Sequence, residues 1–123
     1  MKKLACVLIA VVALEHLMFL VLEMFLWTTP TGMRVFALTP EFAEQSATLA
    51  ANQGLYNGFL AAGLIWTLLQ KGDAFATKVF FLSCVIVAGV FGGVTVKPSI
   101  LFVQAAPALI ALLVVWLSRR QSA

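Results

Sequence analysis

Charge is scarce in this chain, and so are the side chains that usually do chemistry. Charged residues make up 11% of its 123 residues, against roughly 25% in soluble domains. There is one histidine, His16, and two cysteines, Cys6 and Cys84. One imidazole and no cysteine pair at ligand spacing leave a tetrahedral zinc site underpopulated. They also exclude a histidine-rich di-iron oxidase on ligand count. His16 and Glu23 remain weak metal candidates, and no metal or cofactor is expected. Cys6 and Cys84 belong to no CxxC pair and read as small apolar packing residues. No Ser–His–Asp set, phosphate-binding loop or dinucleotide fingerprint occurs. The net charge is +3, but no basic run accompanies it. Nucleic acid is therefore excluded as a partner.

What the chain has in excess is apolar surface. Hydrophobic residues make up 63% of it, with a mean hydropathy of +1.05, where soluble domains average about 45–50% apolar. The expected partner is the lipid bilayer. At ~20 residues per span, one integral membrane domain over residues 1–123 has room for four helices. The spans read as about 4–26, 47–69, 78–95 and 99–117. Lys2 and Lys3 resemble the start of a signal peptide, and Val11-Val12-Ala13 a weak cleavage site. The apolar run continues to Trp27, longer than a signal core, so the segment reads as an uncleaved first span.

Between spans one and two, Pro30, Gly32 and Pro40 are turn signals. Thr39-Pro40-Glu41 reads as a helix start, with Thr as cap, Pro in first position and Glu on the positive end of the dipole. A short outer-face helix or loop is expected there. Lys2, Lys3, Lys71, Lys78, Arg119 and Arg120 fall on one side, with Arg34 and Lys97 on the other. The positive-inside rule then puts both termini in the cytoplasm. The expectation is an all-α, four-span bundle, multi-pass in the bacterial inner membrane. Trp27, Trp66 and Trp116 lie near span ends as interfacial anchors.

Small residues mark where the helices approach. Gly54 and Gly58 form a GxxxG step extended by Ala62, and Gly89 and Gly93 form another. Such steps let backbones come close. Packing within the chain is the favoured reading, and a homo-oligomer seam the alternative. Pro107 should kink span four or free a carbonyl near Val103.

The polar residues inside the spans are the candidate site. A carboxylate near the centre of a spanning helix costs ~2.5–3.5 kcal/mol on insertion scales, and such residues usually face a bundle interior. Counting 1.5 Å per residue, Glu15, His16 and Asn57 form an expected midplane layer. Glu23, Asn52, Gln53, Gln104 and Thr95 form a layer nearer the outer face. His16 and Glu23 share a helix face, as do Gln53 and Asn57, and Asn52 and Tyr56 form the adjacent stripe. These stripes are expected to turn inward as a polar intrabundle site.

The string Asn52-Gln53-Gly54-Leu55-Tyr56-Asn57-Gly58-Phe59 resembles the signature of the DUF1304 family of small bacterial integral membrane proteins. His16, Glu23-Met24, Trp27, Ala88-Gly89, Gly92, Gln104 and Pro107-Ala108 fit the same pattern. The resemblance covers essentially the whole chain and implies a four-span membrane protein. The family name denotes unknown function, so it carries no catalytic role. Small multidrug-resistance exporters share the size, the four spans and a buried glutamate like Glu15. Their aromatic-rich signature is absent here, and Asn52-Gln53 is foreign to them, so that likeness is one of layout.

Three functions fit these residues. The first is a proton- or cation-coupled transporter, or a membrane protein that binds a small solute, ion or lipid. Glu15 and His16 would act on the proton or cation. The second is an intramembrane enzyme on a lipid-like or small hydrophobic substrate, with His16 and Glu23 or Glu15 as acid and base. The third is a structural or accessory subunit whose polar core fixes packing.

Overall fold

The computed structural model describes residues 1–120, and its regular structure there is all helical. The helices are α1 (Lys2–Met24), α2 (Pro30–Phe36), α3 (Pro40–Leu69), α4 (Phe75–Thr95) and α5 (Ala106–Arg120). A π-helical segment, Leu101–Ala105, leads directly into α5.

Local chemistry explains most of the boundaries. Thr29 is extended, and its Oγ1 accepts the Gly32 N–H at 3.3 Å, with Pro30 opening α2. Thr39 Oγ1 accepts the Phe42 N–H at 3.3 Å, with Pro40 opening α3. Both helices thus start on a Thr–Pro pair: the hydroxyl satisfies an orphan N–H and proline occupies a position that needs none. The second pair is the helix start expected at Thr39-Pro40-Glu41, whereas at Pro30 a helix stands where a turn is expected. α2 ends where Ala37 adopts a left-handed conformation (φ 55) and its N–H returns to Met33 O. At the start of α4, Asp73 Oδ1 accepts the Phe75 N–H at 3.1 Å.

The expected kink at Pro107 takes a specific form. The Ala106 N–H reaches back five residues to Leu101 O, giving the wider π turn. Proline has no N–H to offer the carbonyl four residues before it, so the regular ladder cannot run through this point.

Three helical stretches are long and apolar enough to cross a membrane: Lys2–Met24, Phe75–Thr95 and Leu101–Arg120. Their outer surfaces fit that environment. On α4, Val87, Phe91 and Val94 are each about 70% exposed or more, a contiguous apolar patch of a kind soluble monomers rarely carry. α3 has the length, with 30 residues, or ~45 Å, and it contains the whole expected second span. It is not among the three, because Asn52, Gln53 and Asn57 interrupt its apolar run.

The chain packs as two compact units whose boundary falls within α1 and α3. One comprises Met1–Ala13 and the chain from Ala62 onward. Its interior includes Ile9, Leu64, Leu82, Val85, Ala108 and Ala111. Here Gly89 and Gly93 face the π segment. A Cβ on Gly89 would lie 2.7 Å from Ala105 N, and one on Gly93 2.3 Å from Leu101 Cγ. The second glycine step therefore brings α4 against its own chain. The other unit, Leu14–Ala61, holds most of the candidate site residues.

Candidate functional site

Within the Leu14–Ala61 unit, α1 and α3 meet through small residues. A Cβ on Gly54 would lie 2.7 Å from Met24 Cγ and 3.0 Å from Glu23 Cβ, and one on Gly58 would lie 2.6 Å from Leu20 Cδ1. Both glycines are therefore used in packing inside the chain, Gly54 against Glu23 and Met24 and Gly58 against the end of the Leu20 side chain.

That approach places the first polar contact. Asn57 Nδ2 donates to Glu23 Oε2 at 2.8 Å. Asn57 is buried and Glu23 half-buried. This corrects the expected layering, which put Asn57 level with Glu15 and His16. That count took residue 47 as the membrane edge, whereas α3 begins at Pro40. The register follows the Gly54 and Gly58 contacts, which set α3 against Leu20, Glu23 and Met24.

His16 is fully buried. It continues the inner stripe of α1 formed by Ala5, Ile9 and Val12, at the three- and four-residue spacing of one helix face. Its ring meets Phe19 edge-on, with centroids 5.8 Å apart. Glu15 flanks this stripe and is half-buried. Its Oε2 is the one fully buried side-chain polar atom among the described residues that has no hydrogen-bond partner. Buried carboxyl oxygens are normally paired, so an exception calls for a reason.

A family model for DUF1304, described as a protein of unknown function, matches residues 10–116. The chain belongs to the DUF1304 family. A similar curated relative, described as "Uncharacterized protein YpaA", comes from Lactococcus lactis subsp. lactis (strain IL1403). It is 32% identical over 115 residues, which cover 92% of this chain and 97% of the relative. No solved structure matches the chain significantly.

Not every expected residue of this DUF1304 chain joins the site. Asn52, Gln53 and Tyr56 are exposed on α3, which departs from the expectation that their stripe turns inward. The buried stripe of α3 is Ala50, Gly54, Asn57, Ala61 and Leu64, and only one amide falls on it. Gln53 lies four residues from Asn57, an offset of ~40°, and that is enough to move it off the packed face. Tyr56 instead pairs edge-on with Phe59 at 5.9 Å. Gln104 is half-buried in the π segment of the other unit. Thr95 is exposed and its hydroxyl donates to Phe91 O at 2.7 Å.

Two contacts escaped the sequence reading. Trp27 Nε1 donates to Ser46 Oγ at 3.0 Å, while its ring lies 4.7 Å from that of Phe36. Trp27 thus ties the chain after α1 to both α2 and α3. Thr67 is buried and its hydroxyl donates to Leu64 O at 2.7 Å. The Trp27 contact has no spacing signal, because it depends on how α3 is turned; the Thr67 bond is made within one turn of α3, and only its burial depends on packing. Among the described residues, no three His, Cys, Asp or Glu side chains are grouped to hold a metal ion.

Proposed function

We propose that this DUF1304 chain is a four-span inner-membrane protein whose polar site binds or passes a proton, cation or small polar solute. The carrying observation is Glu15, with one buried carboxyl oxygen lacking a hydrogen-bond partner, next to the fully buried His16. A carboxyl group held this way inside apolar helices is costly, and its natural partner is a mobile ion, proton or solute. The Glu23–Asn57 pair, which joins α1 to α3, is a second polar station. Three spanning-type helices and a 30-residue α3 support the four-span reading. The positive-inside bias supports cytoplasmic termini. Four spans enclose a narrow path, and the exposed Asn52, Gln53 and Tyr56 are the residues a second copy would cover.

The test is flux. The full chain is reconstituted in liposomes containing a pH-sensitive dye, and a potential is imposed. Wild type should move protons faster than empty liposomes. Glu15→Gln and His16→Ala should each fall to the empty-liposome rate while inserting normally. Unchanged flux in both variants excludes the proton-coupled role. A second reading is favoured by the Glu23–Asn57 bond itself, which links α1 to α3 beside two tightly packed glycines. In that reading the polar core is a structural clip, and its test is stability.

A further inference from the structure

At one end of the Met1–Ala13 and Ala62-onward unit lies an open cavity of about 330 Å³. Lys2, Lys78 and Arg119 all line it. They come from the start of α1, the start of α4 and the end of α5. Asp73 is the one acidic residue among those lining residues, and its Oδ1 is engaged by the Phe75 N–H at 3.1 Å. The cavity therefore carries an excess of positive charge that its own wall does not neutralise.

Two of the basic groups are also held in place. Lys78 Nζ donates to Asp73 O at 2.6 Å, and an ammonium has three donors in all. The Arg119 guanidinium carbon sits 4.0 Å from the centroid of the Phe75 ring. Phe75 is itself packed edge-on against Trp116 at 5.1 Å. That contact holds the guanidinium over the ring, and its five N–H donors can serve an anion. The rest of the wall includes the apolar Ala5, Cys6 and Val115, and Ser118, whose hydroxyl donates to Val115 O at 2.8 Å. All three helices that meet here belong to stretches long and apolar enough to cross a membrane, so their ends lie where lipid headgroups lie.

We propose that this cavity binds the phosphate of an anionic membrane lipid headgroup through Lys2, Lys78 and Arg119, with the lipid's apolar part along Ala5, Cys6 and Val115. A basic pocket between helix ends is the physical form such recognition takes. The apolar wall distinguishes a lipid from a free phosphate, which would gain nothing from it. The site shares no residue with the Glu15–His16 site and rests only on the chain's membrane character.

The test is native mass spectrometry of the full chain in neutral detergent, titrated with phosphatidylglycerol or phosphatidylcholine. Each basic residue near an anionic headgroup is worth about five-fold in binding. Wild type should therefore prefer phosphatidylglycerol by about ten-fold or more. Lys78→Gln/Arg119→Gln, which keeps Lys2, should lower that preference to about five-fold or less. Lys78→Arg and Lys97→Gln should keep the wild-type preference. Should the double variant fail to fold, Lys78→Gln and Arg119→Gln taken singly should each lower the preference several-fold. Equal binding of the two lipids by wild type overturns the proposal, as does a preference undiminished in the glutamine variants. Complete displacement of phosphatidylglycerol by millimolar inorganic phosphate also overturns it, in favour of a small-anion site.

Discussion

Gly32→Ala should destabilise the Leu14–Ala61 unit by about 2–4 kcal/mol, the cost of overpacking added to that of a lost cap. A Cβ at this position would lie 1.9 Å from Leu26 O, 2.7 Å from Leu26 C and 2.9 Å from Trp27 Cα. All three are backbone atoms, so no side-chain rotation relieves the clash. The chain must move, and it carries a dense set of contacts with it. Thr29 Oγ1 donates to Leu26 O at 2.6 Å and accepts from the Gly32 N–H. Trp27 is bonded to Ser46 and packed on Phe36. Thermal unfolding in detergent should show a large drop in melting temperature, and the emission of Trp27 should change with it. Gly92→Ala is the control. Its nearest contact would be Ile100 Cγ2 at 3.2 Å, a side-chain atom that can yield, so its cost should stay below about 1 kcal/mol. A Gly32→Ala protein as stable as wild type would refute the steric account.

The second large effect concerns Asn57. Asn57→Leu nearly preserves shape but removes the donor to Glu23 Oε2. Leaving that half-buried acceptor without a partner should cost about 1–3 kcal/mol. Glu23→Leu removes the acceptor and strands the amide in the same way. The double variant should recover much of the loss, because two apolar side chains can replace a hydrogen-bonded pair. The coupling between the sites should be about 0.6–1.7 kcal/mol, the range for hydrogen bonds between membrane helices. Equilibrium unfolding of the four proteins in detergent measures it. Additive losses would mean that the 2.8 Å contact contributes nothing to stability. A stable double variant that also keeps full flux would assign the pair to structure and leave Glu15 and His16 as the functional groups.

Particular residues show how far a one-dimensional reading reaches. Thr39-Pro40 was legible as a helix start because the capping hydroxyl and the missing N–H act within one turn. Pro107 was legible as an interruption for the same reason, although the π turn that accommodates it was not. Gly54, Gly58, Gly89 and Gly93 were legible as close-approach points, since they leave room for a neighbouring backbone. The Glu23–Asn57 contact was not. Depth counted along each helix gave the wrong register, because it assumed where α3 meets the membrane edge. Nor was the inward or outward sense of Asn52, Gln53 and Tyr56, which a rotation of ~40° decides.

By itself the sequence determined that this chain is helical, that a helix starts at Thr39-Pro40, and that the chain is apolar enough for a bilayer. Those properties come from caps, prolines and hydropathy, which act over a few residues. Only the tertiary structure decided that Asn57 meets Glu23, that Glu15 keeps an unpaired buried oxygen, and that Lys2, Lys78 and Arg119 share one cavity. Each of these depends on how two or three helices are turned and slid against one another. Such a register is set by contacts between residues far apart in the chain, such as Gly58 on Leu20, and no single helix contains that information.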